Sequence, residues 1–319
     1  MLISHTLIVP VYRNEAFLPE VLQVVREFAA PLGAAFEVVF VVDGSPDCSE
    51  QWLLEHLPAC GVPSQLIVLS RNFGSFTAVR TGLAAARGNF IAVMAADLQE
   101  PPSLVTDFFR VLAEGNDVAV GTRASRADSL KQQVPSQMFW GLYRKLVNPD
   151  MPPGGVDMFA VTARARDALL ALDEAHSALV AQLYWIGFPR VEVPYDRLAR
   201  KHGASGWNLR KKITYLFDSI FSFTDIPITL LTLMGFVGTI VFLLVGLALM
   251  AARLLGMIPV QGYTAIMVTI LFSASLILFG LGIVGNYVWR AYENTKHRPL
   301  GVVRSRLSYG GAGTEASHD

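Results

Sequence analysis

The feature that most constrains this chain is a run of 62 residues, 228–289, that carries a single charged side chain, Arg253. A helix needs about 20 apolar residues to cross a bilayer core about 30 Å thick. Two stretches of the run meet that requirement, residues 228–255 and 263–289. Buried core helices of a soluble protein are the alternative, although charge-free runs of this length are unusual there. The sequence therefore predicts two transmembrane helices joined by a short turn.

The rest of the chain has the composition of a soluble domain. The other 257 residues (319 − 62) hold 51 of the 52 charged side chains, and the formal net charge is zero. Binding to a nucleic-acid backbone needs a clustered excess of Lys and Arg, so nucleic acid is excluded as a partner. Cys48 and Cys60 have neither zinc-site nor disulfide-framework spacing. We expect a soluble domain attached to a membrane part.

Charged residues at the ends of the apolar run predict its orientation. The N-terminus lacks the charged start of a secretory signal. Basic residues precede the first predicted span and follow the second, so they lie on the same side of the membrane, and the positive-inside rule makes this side the cytoplasm. They are Arg197, Arg200, Lys201, Arg210, Lys211 and Lys212 before the first span and Arg290, Lys296 and Arg298 after the second. The sequence predicts a multi-pass inner-membrane protein with both termini in the cytoplasm.

A further helix is predicted just before the first span. Apolar residues recur with helical spacing behind a basic cluster; they are Ile213, Leu216, Phe217, Ile220, Phe221 and Thr224. Such a pattern is typical of an amphipathic helix lying on a membrane surface, and also of an ordinary helix facing a core. Its position next to the first span favours the membrane surface.

Short apolar strands alternate with helical segments from residue 6 to residue 120, which predicts an α/β fold with a mainly parallel sheet covered on both faces. Ligands of such sheets bind beyond the carboxyl ends of the strands. Polar residues collect there in four places; they are Tyr12, Asn14 and Glu15, then Asp43 and Ser45, then Arg71 and Asn72, then Asp97 and Gln99. Neither a dinucleotide-binding nor a P-loop glycine motif follows any of these strands.

The order of several short motifs resembles the family 2 glycosyltransferases, and within them the polyprenyl-phosphate glycosyltransferases, the group of dolichyl-phosphate mannose synthase and of undecaprenyl-phosphate glucose and aminoarabinose transferases. The motifs are Ile8-Val-Pro-Val-Tyr12 with Asn14-Glu15, Asp43-Gly-Ser45, Arg71-Asn-Phe-Gly74, Asp97-Leu-Gln99 with Pro101-Pro102, Gly121-Thr-Arg123, and Gly203-Ala-Ser205 with Trp207. The resemblance extends over nearly the whole chain. It implies a GT-A-type domain over residues 1–195, a juxtamembrane amphipathic segment over 196–226, a transmembrane hairpin over 227–290 and a cytoplasmic tail over 291–319.

The resemblance implies a donor site for a nucleoside-diphosphate-sugar. In this chain the predicted nucleotide-sugar-binding residues are Pro10, Tyr12, Glu15, Asp43, Arg71 and Asp97. Asp97 and Gln99 are the predicted ligands of Mg²⁺ or Mn²⁺, hard cations that take oxygen ligands. A turn that caps a helix is the alternative for Asp43-Gly44-Ser45.

This sequence departs from the family pattern in the same region. The family's Asp-x-Asp is Ala95-Ala-Asp97 here, and its paired aspartates are Val42-Asp43. Phe159 stands where relatives often have Arg, and Gly206 where they often have Lys. The loss of one carboxylate predicts weaker metal binding, with diphosphate oxygens and water completing the shell.

The acceptor implied by the resemblance is a polyprenyl phosphate held in the bilayer. Asp157 is a candidate base or acceptor-orienting group, with a solvated loop acid as the alternative, and the predicted catalytic residues are Asp97, Asp157 and Arg123. The second pKa of a phosphate monoester lies near 6, so the acceptor is already largely ionised and a strong base is dispensable. Cations to hold the acceptor phosphate are predicted at Arg126, Arg200, Lys201 and Arg210.

We therefore expect inverting transfer of a sugar from a nucleoside diphosphate to a polyprenyl phosphate at the cytoplasmic membrane face. Two alternatives stay open at this point. One is a transferase that acts on another lipid or on a glycan. The other is a catalytically impaired scaffold or donor-binding regulator, suggested by Val42, Ala95 and Phe159. Analogy with the family is also compatible with a homo-oligomer.

Overall fold

The computed structural model describes residues 3–125, 130–175, 177–198, 209–255 and 262–310. The chain divides into two compact units, one of residues 1–212 with 298–319 and the other of residues 213–297. The first unit is built around an eight-stranded sheet. Its strands are β1 (His5–Val11), β2 (Phe36–Val42), β3 (Ser64–Leu69), β4 (Phe90–Val93), β5 (Val118–Ser125), β6 (Phe159–Thr162), β7 (Arg190–Asp196) and β8 (Val303–Tyr309).

Helices connect these strands. They are α1 (Leu18–Leu32), α2 (Ser49–His56), α3 (Ser75–Ala85), α4 (Ser103–Ala113), α5 (Leu130–Leu146), α6 (Ala163–Leu170) and α7 (Leu179–Trp185). The strand order is β7-β5-β6-β4-β1-β2-β3-β8. Four neighbouring pairs are parallel, β1 with β2, β1 with β4, β2 with β3, and β5 with β7, whereas β6 and β8 pair antiparallel with their neighbours. The predicted α/β class and mainly parallel sheet are confirmed.

Apolar strands explain why the sheet is covered on both faces. All seven residues of β2 are buried. On one face, alternate strand residues such as Leu7 and Phe40 pack in the main core with residues of α1 and α4. On the other face α3 lies close to β1, since a Cβ atom placed on Gly82 would come within 2.4 Å of a methyl group of Ile8. Both faces of β1 and β2 are therefore occupied, as a continuous apolar run requires.

The chain reverses its direction across the sheet at β1. From β1 it proceeds to β2 and β3 on one side, and then returns to place β4 on the other side of β1. Ligands of open α/β sheets bind at such a topological switch point, beyond the carboxyl ends of the strands. The switch point lies between the loop after β1, which contains Tyr12, and the turn after β4, which contains Asp97.

Strand β8 is a feature that the sequence analysis did not predict. Residues 291–319 were expected to form a tail, but Val303–Tyr309 pairs antiparallel with β3 along its whole length. Val303, Leu307 and Tyr309 fall at odd positions, with Arg304, Arg306 and Ser308 at the even ones, and such alternation is a strand signal. The chain that leaves the sheet before residue 213 thus returns to it after residue 297.

The second unit contains most of α8 (Leu209–Phe223) together with α9 (Ile226–Leu254) and α10 (Tyr263–Thr295). Within α10, Phe272–Thr295 is long and apolar enough to cross a membrane, and the helices Ile213–Phe223 and Ile226–Gly238 meet at a bend of 73°. Large apolar side chains are exposed along α9 and α10, among them Phe236, Leu244, Phe272, Ile277 and Leu278. Exposed apolar surface of this extent indicates a partner other than water.

A small contact cluster joins α8 to the end of α10. Arg290 donates to the carboxylate of Asp218 at 2.7 Å and to the hydroxyl of Ser222 at 3.3 Å. The rings of Phe221 and Tyr287 meet edge to face with their centroids 5.4 Å apart. These contacts hold the amphipathic helix against α10, while Ile213 and Phe217 stay exposed.

Candidate active site

The loop after β1, at the switch point, is joined by hydrogen bonds to the loop after β2. The backbone N–H of Arg13 donates to the hydroxyl of Ser45 at 2.7 Å, and that of Glu15 donates to Asp47 at 3.2 Å. Glu15 in turn accepts from the N–H of Cys48 at 3.0 Å, just before α2. Glu15 therefore braces the start of α2, a helix end at which a carboxylate is favourable.

The side chain of Tyr12, in the loop after β1, is exposed and accessible to a ligand. Its side chain is 40% exposed, and the guanidinium of Arg13 lies 5.5 Å from its ring centroid. Pro10 lies within β1, beside Val41 of β2. These residues end up beside the carboxyl end of β1, where the sequence analysis placed the nucleotide pocket.

Asp43 fixes the loop after β3 against the loop after β2. Its side chain is 2% exposed, and its two carboxylate oxygens accept the N–H groups of Phe73 at 2.7 Å and Gly74 at 2.9 Å. Burial raises the pKa of Asp43 above its ordinary value, although the two amides and the charge of Arg71 oppose this effect. The carboxylate thus binds the start of α3, which is a capping role on a helix other than the adjacent α2.

Gly44 is the residue that allows this close approach. Its φ is +55°, and a Cβ atom there would lie 2.3 Å from the carbonyl carbon of Arg71. Any side chain would therefore displace the backbone of residues 71 and 72. Arg71 itself is exposed, with its guanidinium 4.0 Å from the ring centroid of Phe73.

The turn after β4 brings the two predicted metal ligands together. Leu98 has a φ of +48° and yet its side chain is 5% exposed and packed in the main core. A non-glycine residue in this conformation costs about 1–3 kcal/mol, which the surrounding packing must offset. As a result Asp97 and Gln99 lie on one side of the turn, and the Gln99 amide donates to Asp97 at 2.8 Å.

The donor set of this turn suits a hard cation that keeps other ligands. Mg²⁺ is usually bound by one or two carboxylates together with substrate phosphates and water. Asp97 supplies a carboxylate and Gln99 an amide oxygen, which fits such a partial shell. Among the described residues no group of three or more His, Cys, Asp or Glu side chains is placed to hold a metal ion by itself.

Arg123 and Asp157 form the second half of the site. Nε of Arg123 donates to Oδ2 of Asp157 at 2.7 Å, and Nη2 approaches the same oxygen at 2.5 Å. The hydroxyl of Tyr195 also donates to this oxygen, at 2.9 Å. Burial lowers the pKa of Arg123, but the charge and hydrogen bond of Asp157, together with Tyr195, outweigh this effect and raise the pKa above its ordinary value. The two residues that the sequence predicted separately are therefore one ion pair.

Glu100 connects the two halves, and the sequence analysis missed it. Its side chain is 3% exposed, and burial together with the charges of Asp157 and Asp97 raises its pKa to about 7. Arg197 lies 3.7 Å from its carboxylate, and the N–H of Leu198 donates to the carbonyl of Gln99 at 2.8 Å. Three carboxylates and two guanidinium groups thus share one environment. Glu100 could have been found from the sequence, because its carboxylate directly follows the Asp97-Leu-Gln99 motif.

Tyr195 was missed for a different reason. It lies in β7, which is distant in sequence from Arg123 but pairs with β5, so that Arg123 and Tyr195 are register partners. Sequence spacing does not reveal such a pair.

The predicted acceptor-phosphate residues lie largely beyond what the structure describes. Arg126, Arg200 and Lys201 fall outside the described residues, and so does the side chain of Arg210 at the start of α8. Of the departures from the family pattern, Val42 is fully buried in β2 and Phe159 is 4% exposed in β6, opposite Val120.

Comparisons with known proteins agree with the resemblance seen in the sequence. The model of glycosyl transferase family 2 matches residues 6–170. An uncharacterized glycosyltransferase of Synechocystis sp. is 30% identical, with 95% of each chain covered. A bactoprenol glucosyl transferase of Shigella phage SfV is 29% identical over 94% of this chain and 98% of its own, and a prophage bactoprenol glucosyl transferase homolog of Escherichia coli is 28% identical over 94% and 98%.

A solved structure of glucosyl-3-phosphoglycerate synthase from Mycobacterium tuberculosis, with Mn²⁺ and uridine-diphosphate-glucose, is also similar. It is 18% identical over 63% of this chain and 72% of its own, with a TM-score of 0.44.

Proposed function

The chain belongs to glycosyl transferase family 2, and we propose that it transfers a sugar from a nucleoside diphosphate to a polyprenyl phosphate of the bactoprenol type. One observation carries the proposal. The family model ends at residue 170, but the similarity to relatives named bactoprenol glucosyl transferases covers 94% of this chain and therefore includes α9 and α10. The similarity therefore extends beyond the family domain to the stretch of the two apolar helices, which would keep the site close to a lipid acceptor.

The donor is proposed to lie across the switch point. Tyr12 offers an exposed ring to a base, and Arg71 an exposed cation. Asp43 holds the loop that carries Arg71, so its contribution to the nucleotide pocket is proposed to be made largely through that loop. Asp97 and Gln99 would hold Mg²⁺ or Mn²⁺, which neutralises diphosphate charge when bound.

The acceptor phosphate is proposed to approach on the side of Arg123 and Asp157. One of its oxygens attacks the anomeric carbon as the bond from that carbon to the diphosphate oxygen breaks, and the configuration inverts. Because the phosphate is a dianion at neutral pH, it brings its own electron pair and no proton has to leave. The site must bring the acceptor phosphate and the donor diphosphate together, and positioned cations reduce the repulsion between these two anionic groups.

The return of the chain to the sheet bears on the number of membrane crossings. Residues before 213 and after 297 belong to the same unit, because β8 pairs with β3. An inserted segment whose two ends meet in one folded unit must cross the bilayer an even number of times. If α10 crosses, α9 must cross as well. We therefore propose a two-helix hairpin in the inner membrane with both termini in the cytoplasm, an orientation that the basic flanks of the hairpin favour.

The proposed function is tested with membranes that contain the full chain. They are incubated with radiolabelled nucleotide-sugars and polyprenyl phosphate, with and without EDTA. We expect one donor to label the lipid fraction and EDTA to suppress the labelling. Labelling of a different lipid or of a glycan alone would redirect the acceptor assignment. Nucleotide binding without transfer from any donor would instead support the scaffold that Ala95 and Val42 suggested.

A further inference from the structure

The ion pair of Arg123 and Asp157 has a third member whose position is fixed by the sheet. Tyr195 is 5% exposed, and its ring passes directly over Gly121, where a Cβ atom would lie 3.1 Å from Cε1. Gly121 lies two residues before Arg123 on β5, the strand that pairs with β7. The absence of a side chain at Gly121 therefore leaves the space in which the Tyr195 ring reaches Asp157.

The three contacts that Arg123 and Tyr195 make with Asp157 end on one carboxylate oxygen. Nε and Nη2 of Arg123 and the hydroxyl of Tyr195 lie 2.7, 2.5 and 2.9 Å from Oδ2 of Asp157. Arg carries five N–H donors in a rigid fork. With one edge of the fork held by Asp157, the N–H groups on Nη1 are left for another anion. The side chain of Arg123 is only 14% exposed, so its orientation depends on these contacts.

We propose that Tyr195 is a positioning residue for sugar transfer, which through Asp157 holds the guanidinium of Arg123 in place for a phosphate group. The inference rests on the proposed function, since it takes the phosphate to belong to the donor or the acceptor of that reaction. It gives Asp157 a role that differs from the predicted base or acceptor-orienting group, because here the carboxylate orients Arg123.

Chemistry supports a permanent donor at this position. Burial, followed by the negative charges of Asp157 and Glu100, raises the pKa of the Tyr195 hydroxyl well above its ordinary value. The hydroxyl therefore keeps its proton at neutral pH and can donate it to the carboxylate of Asp157.

The test compares two buried tyrosines, of which Tyr195 has a hydrogen bond from its hydroxyl to Asp157. Tyr195→Phe removes the hydroxyl bound to Asp157. Tyr184→Phe is the matched control, because Tyr184 is also 5% exposed and its hydroxyl has no hydrogen-bond partner among the described residues. In the full-length protein in detergent we expect Tyr195→Phe to lower kcat/KM roughly tenfold and Tyr184→Phe to leave it unchanged. A higher KM for the nucleotide-sugar would place the held guanidinium on the donor diphosphate, and a higher KM for polyprenyl phosphate would place it on the acceptor.

A double-mutant cycle separates positioning from a general effect on folding. If Tyr195 acts through Arg123, Tyr195→Phe should cost less than about twofold in an Arg123→Lys background, since the fork is already absent. Equal losses in both backgrounds, or a Tyr195→Phe protein as active as the wild type, would overturn the inference.

A second pair of variants covers the case in which Tyr195→Phe is poorly folded. Asp157→Asn retains an oxygen for Arg123 and Tyr195, whereas Asp157→Ala retains none. For an orienting group we expect the Asn variant to be about tenfold more active than the Ala variant; equal activities would refute the orienting role. An inactive wild type would refute the proposed function and this inference together, whereas an active wild type with unaffected variants would refute the inference alone.

Discussion

The clearest stability prediction concerns Glu37, a fully buried carboxylate at the amino ends of the strands, opposite the edge that carries the candidate site. Its Oε1 accepts the hydroxyl of Thr6 at 2.8 Å and the N–H of Arg87 at 2.7 Å. Its Oε2 accepts the amide of Gln65 at 3.1 Å and Nε of Arg87 at 2.7 Å. The network thus joins β1, β2, β3 and the segment before β4.

Replacement of Glu37 by Gln keeps the shape and removes the acceptor on one side. The oxygen of the new amide can retain the contacts with Thr6 and the Arg87 N–H, but its NH₂ group then faces the donors of Gln65 and Arg87. Gln65 cannot turn its amide without loss, because Nε2 also donates to the carbonyl of Ala85 at 3.0 Å and Oε1 accepts from Arg306 at 2.7 Å.

The expected cost follows from these contacts. Removing one partner of a buried ion pair costs about 3–5 kcal/mol. The side chain of Arg87 is 51% exposed and can be partly rehydrated, so the lower end applies. For a unit of this size about 3 kcal/mol corresponds to a melting temperature lower by roughly 6–12 °C. The matched control is Glu55→Gln, an exposed residue paired with Gln51 on α2, for which we expect a change within about 0.5 kcal/mol.

The assay is thermal unfolding of the purified full chain in detergent, combined with transfer kinetics well below the transition. We expect Glu37→Gln to lower the melting temperature while kcat and both KM values stay near those of the wild type. A Glu37→Gln protein as stable as Glu55→Gln would refute the network argument. Normal stability with lost activity would contradict the division of the sheet into a structural edge and a functional edge.

Three further predictions follow from other parts of the structure. Asp97→Ala should reduce transfer by at least about a hundredfold and leave membrane insertion intact, as measured by lipid product and by retention in washed membranes; near-normal turnover would show the metal assignment to be wrong. Gly44→Ala should weaken nucleotide binding in a titration with a fluorescent nucleotide, because its Cβ would displace the Arg71 backbone, whereas Gly61→Ala, also at positive φ but with nothing within 4 Å, should bind normally; equal affinities would contradict the close-packing argument. Burial lowers the pKa of His5, so that as the pH falls below the ordinary value of 6.5 the unfolded state takes up a proton first and the folded state loses stability. Between pH 7 and pH 5 the melting temperature of His5→Gln should therefore fall less than that of the wild type or of His56→Gln. Parallel melting curves for the three proteins would exclude this contribution of His5.

The sequence was sufficient for the features that depend on local pattern. Apolar runs such as Val38–Val42 and the alternation of strands with helices predicted the sheet, because strands covered on both faces are mostly apolar. The same logic placed Tyr12, Asp43 and Asp97 at one edge, since parallel strands share the end at which their loops meet.

Features that depend on pairing between distant segments were harder to predict. The alternation in Val303–Tyr309 was readable, but its position after two apolar helices suggested a tail, and only pairing with β3 gives it a place. Tyr195 reaches Asp157 because β7 pairs with β5. The function of Glu37 as the centre of a buried network likewise depends on contacts between strands, which no local pattern encodes.

Asp43 illustrates a partial success. The sequence predicted that Asp43 binds a nucleotide or caps a helix, and in both roles its carboxylate accepts hydrogen bonds. Because its two oxygens are taken by the amides of Phe73 and Gly74, its effect on a nucleotide is expected to pass through the loop of Arg71. The chemistry of the side chain was predictable, whereas the identity of its donors required the fold.

The most direct test of the proposed function identifies both products of one reaction. Purified full-length protein is incubated with its nucleotide-sugar, which is unlabelled, and with polyprenyl phosphate that carries ¹⁸O in its phosphate. The masses of the lipid product and of the released nucleotide are then measured by mass spectrometry. Attack by the acceptor phosphate on the anomeric carbon predicts a lipid that gains one sugar and retains all of the ¹⁸O, together with an unlabelled nucleoside diphosphate. Release of a nucleoside monophosphate, or a lipid that gains a sugar phosphate, would contradict the proposal.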